Sequence, residues 1–135
     1  MNRHQQREQA FILIFERTIN RDTVAQILEN AGECRDLEIS AFAERVATGT
    51  QNHEAKIDGH IQRHIQGWTM NRLSRVSLAL LRLAIYEMLF EQEIPVKVSI
   101  NEVVDLAKKY GGKEDAPFIN GVLGSVAKEM EIADV

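Results

Sequence analysis

The sequence predicts an all-α protein of about seven helices in two subdomains, packed around a buried central helix at residues 76–90. Three observations carry this. Every long segment repeats its apolar residues at helical period, and none alternates like a strand. The segment 76–90 is apolar nearly all round, the pattern of a helix with neighbours on every side. The two prolines, Pro95 and Pro117, both fall at proposed helix edges.

Taken in order, the first helix is expected over Arg3–Thr18, with Ala10, Phe11, Ile14 and Phe15 on one stripe. A second follows Asn20-Arg21-Asp22, uses Val24, Ile27, Leu28 and Ala31, and stops at Gly32. Ile39, Phe42, Val46, His53, Ile57, Ile61 and Ile65 keep one face over most of residues 37–66, which predicts one long third helix ended by Gly67. A short piece around Trp68–Leu73 leads into the central helix. After Pro95, Ser99-Ile-Asn-Glu102 reads as a capping box opening a helix that Gly111-Gly112 ends. Asp115 is placed to cap the last helix, whose stripe is Phe118, Val122, Leu123, Val126 and Met130. The chain of 135 residues thus divides into an N-terminal three-helix subdomain, 1–66, and a C-terminal helical subdomain, 67–135, within a single compact domain.

Composition narrows the function. Charged residues make up 27% and apolar residues 44%, which suits a globular core and not a disordered chain. No apolar run approaches the roughly 18 residues of a membrane span, and nothing resembles a signal peptide. The single cysteine, Cys34, excludes a disulfide framework, and a cytoplasmic setting is the simple expectation. The net charge of −4 does not advertise nucleic-acid binding. Residues 1–17 nevertheless hold three Arg against two Glu, so any RNA site must be a local patch. The acidic remainder suits a basic protein partner.

No catalytic constellation stands out. His60 and His64 lie four apart but lack a third ligand at a recognisable spacing, so they read as surface histidines and no metal is expected. Cys34 has no histidine near it in sequence. No Gly-rich phosphate loop is present, and no cofactor is expected. Arg82 and Glu87, on the apolar central helix, need partners if buried; Asn101 and Glu102 are the expected ones, in a structural polar network.

Two places suggest binding. Arg3, His4 and Arg7 extend the first helix's apolar stripe past its amino-terminal end, against the helix dipole. They serve either solubility or a small anion site. The corner between the last two helices carries Lys108, Lys109 and Lys113 with Tyr110 and Phe118, and Asn120 and Gly121 follow. Cations beside rings are what single-stranded RNA requires: charge for phosphate, a π-face for an unstacked base. The alternative is that both rings are core residues and that Asn120 only turns the chain. Gly121 costs helix stability and would permit close approach by a helix or ligand.

At these residues the sequence resembles the NusB transcription antitermination factors. The likeness runs through Leu81-Arg-Leu-Ala-Ile-Tyr-Glu87, Ile94-Pro-Val-Lys-Val-Ser-Ile-Asn-Glu102, Asp105-Leu-Ala-Lys108, Tyr110-Gly111 and Phe118-Ile-Asn-Gly-Val-Leu123, with Trp68 and Arg72-Leu73 before them. The resemblance implies an all-α fold, no catalysis, and binding of boxA-type single-stranded RNA together with a small-subunit ribosomal protein, NusE, in an RNA polymerase antitermination complex. It places RNA contacts on Arg3, His4, Arg7 and Phe15, and on Tyr110, Phe118 and Asn120; Lys108 and Lys113 join them from the charge reading. Gln5 and Gln6 interrupt the family's first-helix arginines, Gly124 stands where Asp or Asn is common, and Ser77 where an acidic partner contact is expected. A protein-only interaction module, possible self-association, and a methyltransferase-associated RNA-binding domain are the rival readings. The last lacks the Gly-rich strand–helix unit a methyl donor needs.

Overall fold

Helix caps written into the sequence set most of the boundaries. The computed structural model describes residues 1–34 and 38–133. They form α1 (Arg3–Asn20), α2 (Val24–Cys34), α3 (Ala41–Asn52), α4 (Glu54–His64), a single 3₁₀ turn (Met70–Arg72), α5 (Arg75–Phe90), α6 (Val96–Tyr110) and α7 (Asp115–Ala133). No strand occurs among the described residues.

Asn2 opens α1 with a reciprocal capping box: its Oδ1 accepts from the Gln5 amide at 2.8 Å, and Gln5 Oε1 accepts from the Asn2 amide at 2.9 Å. Gln5, which breaks the arginine run, is therefore a cap residue. Ser40 and Ser74 cap α3 and α5 through their hydroxyls. Gly67, at φ 78°, turns the chain after α4 in the left-handed region that glycine enters without strain.

α5 is the hub. It packs against α1, α3, α4, α6 and α7. Leu80, Leu81, Leu83 and Ile85 are fully buried on it, each contributing about 1.5–3 kcal/mol of apolar transfer. α1 runs antiparallel to α5, since Arg7 meets Glu87 and Thr18 meets Arg82. α6 runs alongside α1, as His4 meets Glu102 and Phe11 meets Tyr110.

Four boundary readings are corrected. The helix expected over 37–66 is two helices: His53 leaves helical geometry at φ −115°, ψ 19°. Its ring sits 4.1 Å from the Phe90 ring and its Nδ1 lies 2.9 Å from the Gly49 carbonyl. The break lets α3 pack on α1 while α4 reaches α7. A straight helix of that length, about 45 Å, would overrun α5, about 24 Å long. α2 continues through Gly32 to Cys34, whose side chain lies outside the described residues, as does residue 37. α6 begins at Val96 and not at Ser99, because Pro95 already holds a helix-compatible φ of −58°. Asp115 is the first residue of α7, and its carboxylate turns back: Oδ2 accepts from the Gly112 amide at 2.7 Å and Oδ1 from the Ser77 hydroxyl at 2.9 Å.

Ser99, freed from capping, is fully buried within α6 and donates to Glu87 Oε1 at 3.0 Å. Arg7 meets the same carboxylate bidentately, Nε at 2.8 Å and a terminal nitrogen at 2.9 Å, with both side chains at most 2% exposed. The network expected around Arg82, Glu87, Asn101 and Glu102 is in fact two. Arg82 turns to Asp58 (2.9 Å, bidentate), Glu54 (3.2 Å) and Thr18 (3.3 Å). Asn101 is exposed and makes no side-chain hydrogen bond among the described residues.

Removing one side of a buried, doubly bonded ion pair strands the other charge, at about 3–5 kcal/mol. Arg7→Ala and Glu87→Ala are expected to lower unfolding free energy by that amount in denaturant titrations, whereas Arg3→Ala, at the surface, is expected to stay within about 1 kcal/mol. Gly49 faces the Tyr86 ring so closely that an added Cβ would lie 2.4 Å from it. Gly49→Ala should cost about 1–3 kcal/mol by overpacking α3 on α5.

Candidate nucleic-acid interface

The α1–α6 seam is assembled by three side-chain pairs. His4 Nδ1 lies 2.5 Å from Glu102 Oε2. One turn on, Lys109 Nζ donates to Glu8 Oε2 at 2.8 Å. Next, the rings of Phe11 and Tyr110 stand 5.0 Å apart, and Phe15 stacks on Phe11 at 5.7 Å. The seam therefore ends in a file of rings, with Phe15 half-buried and Tyr110 37% exposed.

Electrostatics along this seam are mostly settled internally. The hydrogen bond to Glu8 raises the Lys109 ammonium above its ordinary range. Burial, with Glu8 nearby, raises the Tyr110 phenol, which stays a neutral donor. Lys108 and Lys113 are exposed and form no ion pair among the described residues. Lys113 is three residues past Tyr110, so their backbones lie within about 11 Å. These two ammonium groups are unpaired near the hinge, Lys113 just past Tyr110 and Lys108 turned about 200° around α6 from it.

The other predicted contacts scatter. Arg7 is buried against Glu87 and offers no cation to solvent. The Arg3 guanidinium lies 3.9 Å over the Phe42 ring, on the α3 side of α1 and away from His4. Phe118 is half-buried beside Trp68, ring centroids 6.2 Å apart. Asn120 is exposed, but two residues along a helix is a turn of about 200°, so it does not share the Phe118 face. Gly121 is exposed and has nothing within 4 Å of an added Cβ, so no neighbouring helix requires it.

Sequence reasoning passed over Trp68, which is 54% exposed. Its signal was present: a lone tryptophan directly after the glycine that turns the chain.

His60 and His64 are claimed by protein partners. His64 joins α4 to α7, its Nδ1 2.7 Å from Ser125 Oγ and its Nε2 in contact with Glu129. Arg63 donates to Glu129 Oε1 at 3.0 Å and lies 2.8 Å from His60 Nδ1. Among the described residues no cluster of three or more His, Cys, Asp or Glu could hold a metal. Among the described residues no helix is long and apolar enough to cross a membrane.

Fold and seam together define a class: an all-helical protein, packed around α5, with lysines and rings exposed at the corner between α6 and α7. The NusB family profile matches residues 4–128. A transcription antitermination protein NusB from Clostridium botulinum (strain Loch Maree / Type A3) is 39% identical, over 93% of this chain and 99% of that one. The T. maritima NusB structure superposes with a TM-score of 0.84 at 35% identity, covering 96% of this chain and 92% of that one. A NusB chain crystallised as antitermination factors NusB and NusE in complex with dsRNA superposes at 0.81 with 25% identity, over 96% and 99%. The chain belongs to the NusB family.

The α4–α7 clasp yields a pH test. The His64 contact lowers the Glu129 carboxyl below its usual range, with Arg63 adding to it. A lowered carboxyl stabilises the fold above the ordinary glutamate range, and the contribution fades as pH falls through the lowered value. Glu129→Gln is expected to lower the melting temperature at neutral pH and to converge with the parent in acid. An offset equal at every pH would contradict this.

Proposed function

We propose that the chain is a transcription antitermination factor that binds boxA-type RNA together with a NusE-type ribosomal protein. The observation that carries this is its superposition, over nearly its whole length, on a NusB chain from a complex with NusE and dsRNA. The named role of its relatives is antitermination, not catalysis. A cytoplasmic setting, beside RNA polymerase and its transcripts, goes with that role.

The seam supports a division of labour. Lys108 and Lys113 neutralise phosphates at the corner, and Tyr110, Phe15 and Phe118 offer ring surface to unpaired bases. His4 and Arg3 stand at the amino-terminal end of α1, on opposite sides, where a longer RNA would pass. Arg7 acts indirectly, by fixing α1 against α5. The net charge of −4 leaves the rest of the surface suited to a basic ribosomal protein. The related complex contains double-stranded RNA; the rings here suit unpaired bases, so both forms belong in the assay.

With a fluorescent boxA-like RNA and the NusE-type partner, log K should fall linearly with log salt. The Lys108→Ala, Lys113→Ala double variant should bind more weakly and with a slope shallower by about 1.4, or 0.7 per lost phosphate contact. An unchanged slope would remove the corner from the interface. Partner binding with no RNA affinity in any combination would favour the protein-only module.

A further inference from the structure

Beyond the corner, the family resemblance places Phe118 on the RNA surface but gives no role to Trp68, the exposed ring beside it. Trp68 and Phe118 form two walls of a groove of about 230 Å³, with Arg72 and Glu114 on its rim. Its floor is closed by Ser77, whose hydroxyl is committed to Asp115. A tryptophan more than half exposed is a large apolar surface left in water.

We infer that this slot holds one unstacked base of the bound RNA, lying on Trp68 against Phe118. The inference rests on the RNA reading above and deepens it by naming where a base is gripped. Four features favour a base. The groove is too small for a helix, which is about 10–12 Å across. Its walls are two rings inclined at 58°, so a base stacked on Trp68 meets Phe118 at an angle, and stacking of this kind is indifferent to sequence. The Arg72 guanidinium is exposed and makes no ion pair among the described residues, so it is available to the adjoining phosphate. Glu114 on the rim repels phosphate from the slot itself, leaving that group to Arg72 and to Lys113, the residue before Glu114 in the chain. A strand running from Tyr110 past Lys113 reaches the slot directly, because the hinge that carries Lys113 leads into the helix that carries Phe118.

The protein supplies its own probe, since Trp68 is its only tryptophan. Indole fluorescence is followed while the full chain is titrated with a short single-stranded boxA-like RNA, with and without the NusE-type partner; affinity is read separately from labelled RNA. Saturating RNA is expected to quench the indole. Trp68→Ala is expected to weaken binding roughly 5- to 150-fold, the range of one lost base–ring stack. Trp68→Phe should recover most of that loss. Because the side chain is largely exposed, the melting temperatures of both variants should stay near the parent's, which separates lost stacking from lost fold. Tight RNA binding with no quench and an unchanged Trp68→Ala affinity would overturn the slot and leave the RNA reading standing. Quenching by the ribosomal partner alone, with no further change on adding RNA, would make the groove a protein contact and likewise overturn the inference. Absence of RNA binding in every combination would overturn both.

Discussion

One carboxylate holds this molecule's geometry together. Glu87, in the middle of the chain's most apolar helix, accepts two hydrogen bonds from Arg7 of α1 and one from Ser99 of α6. Three helices are thereby fixed at one point. A buried ion pair contributes little net stability against an apolar alternative, but it tolerates no other arrangement, because any slip strands a charge. Arg7 also lies 3.8 Å from Glu102, which in turn holds His4. The register that sets Glu8 against Lys109 and Phe11 against Tyr110 follows from this one point.

That constraint redistributes the chemistry of the surface. An arginine near the start of α1 looks like a cation for RNA, yet its charge is consumed inside. Two more side chains along the seam, His4 and Lys109, face carboxylates. What remains open lies near the turn between α6 and α7: Lys113 just past Tyr110, and Lys108 about 200° around α6 from it. An acidic protein can hold RNA in this way: a short stretch of unneutralised charge for phosphates, beside rings whose attraction for bases does not depend on net charge.

Much of this was legible in the sequence, and the exceptions share a cause. The all-α class, the central helix, the starts of α1 and α5 and the end of α6 follow from periodicity, caps and glycines, which are local signals. The failures came where distant residues overrule local ones. Phe42, Val46, Ile57, Ile61 and Ile65 of the stripe are all buried, but His53 is exposed, packs on Phe90 and divides the helix in two. Ser99 and Glu102 have capping-box spacing, but Glu87 takes the serine, while Pro95 has already begun the helix. Arg7 is indistinguishable from Arg3 along the chain; only the position of Glu87 decides that one is inside and the other out. Asn120 and Phe118 are close in sequence, and helical geometry turns them apart. The family likeness put expected contacts on Tyr110, Phe118 and Asn120, and the lysines beside them came from the charge pattern. Neither could say which cations were already paired.

The central claim is that RNA follows the α1–α6 seam around the corner into α7. Amide NMR of the full chain with boxA-like RNA and unlabelled NusE-type partner, compared with partner alone, tests it most directly. The account predicts that RNA-dependent shifts cluster at the amino-terminal turn of α1, at residues 108–114 and around Trp68 and Phe118. Shifts confined to the α4–α7 clasp around His60 and Glu129, or to the groove between Arg17 and Arg75, would contradict it.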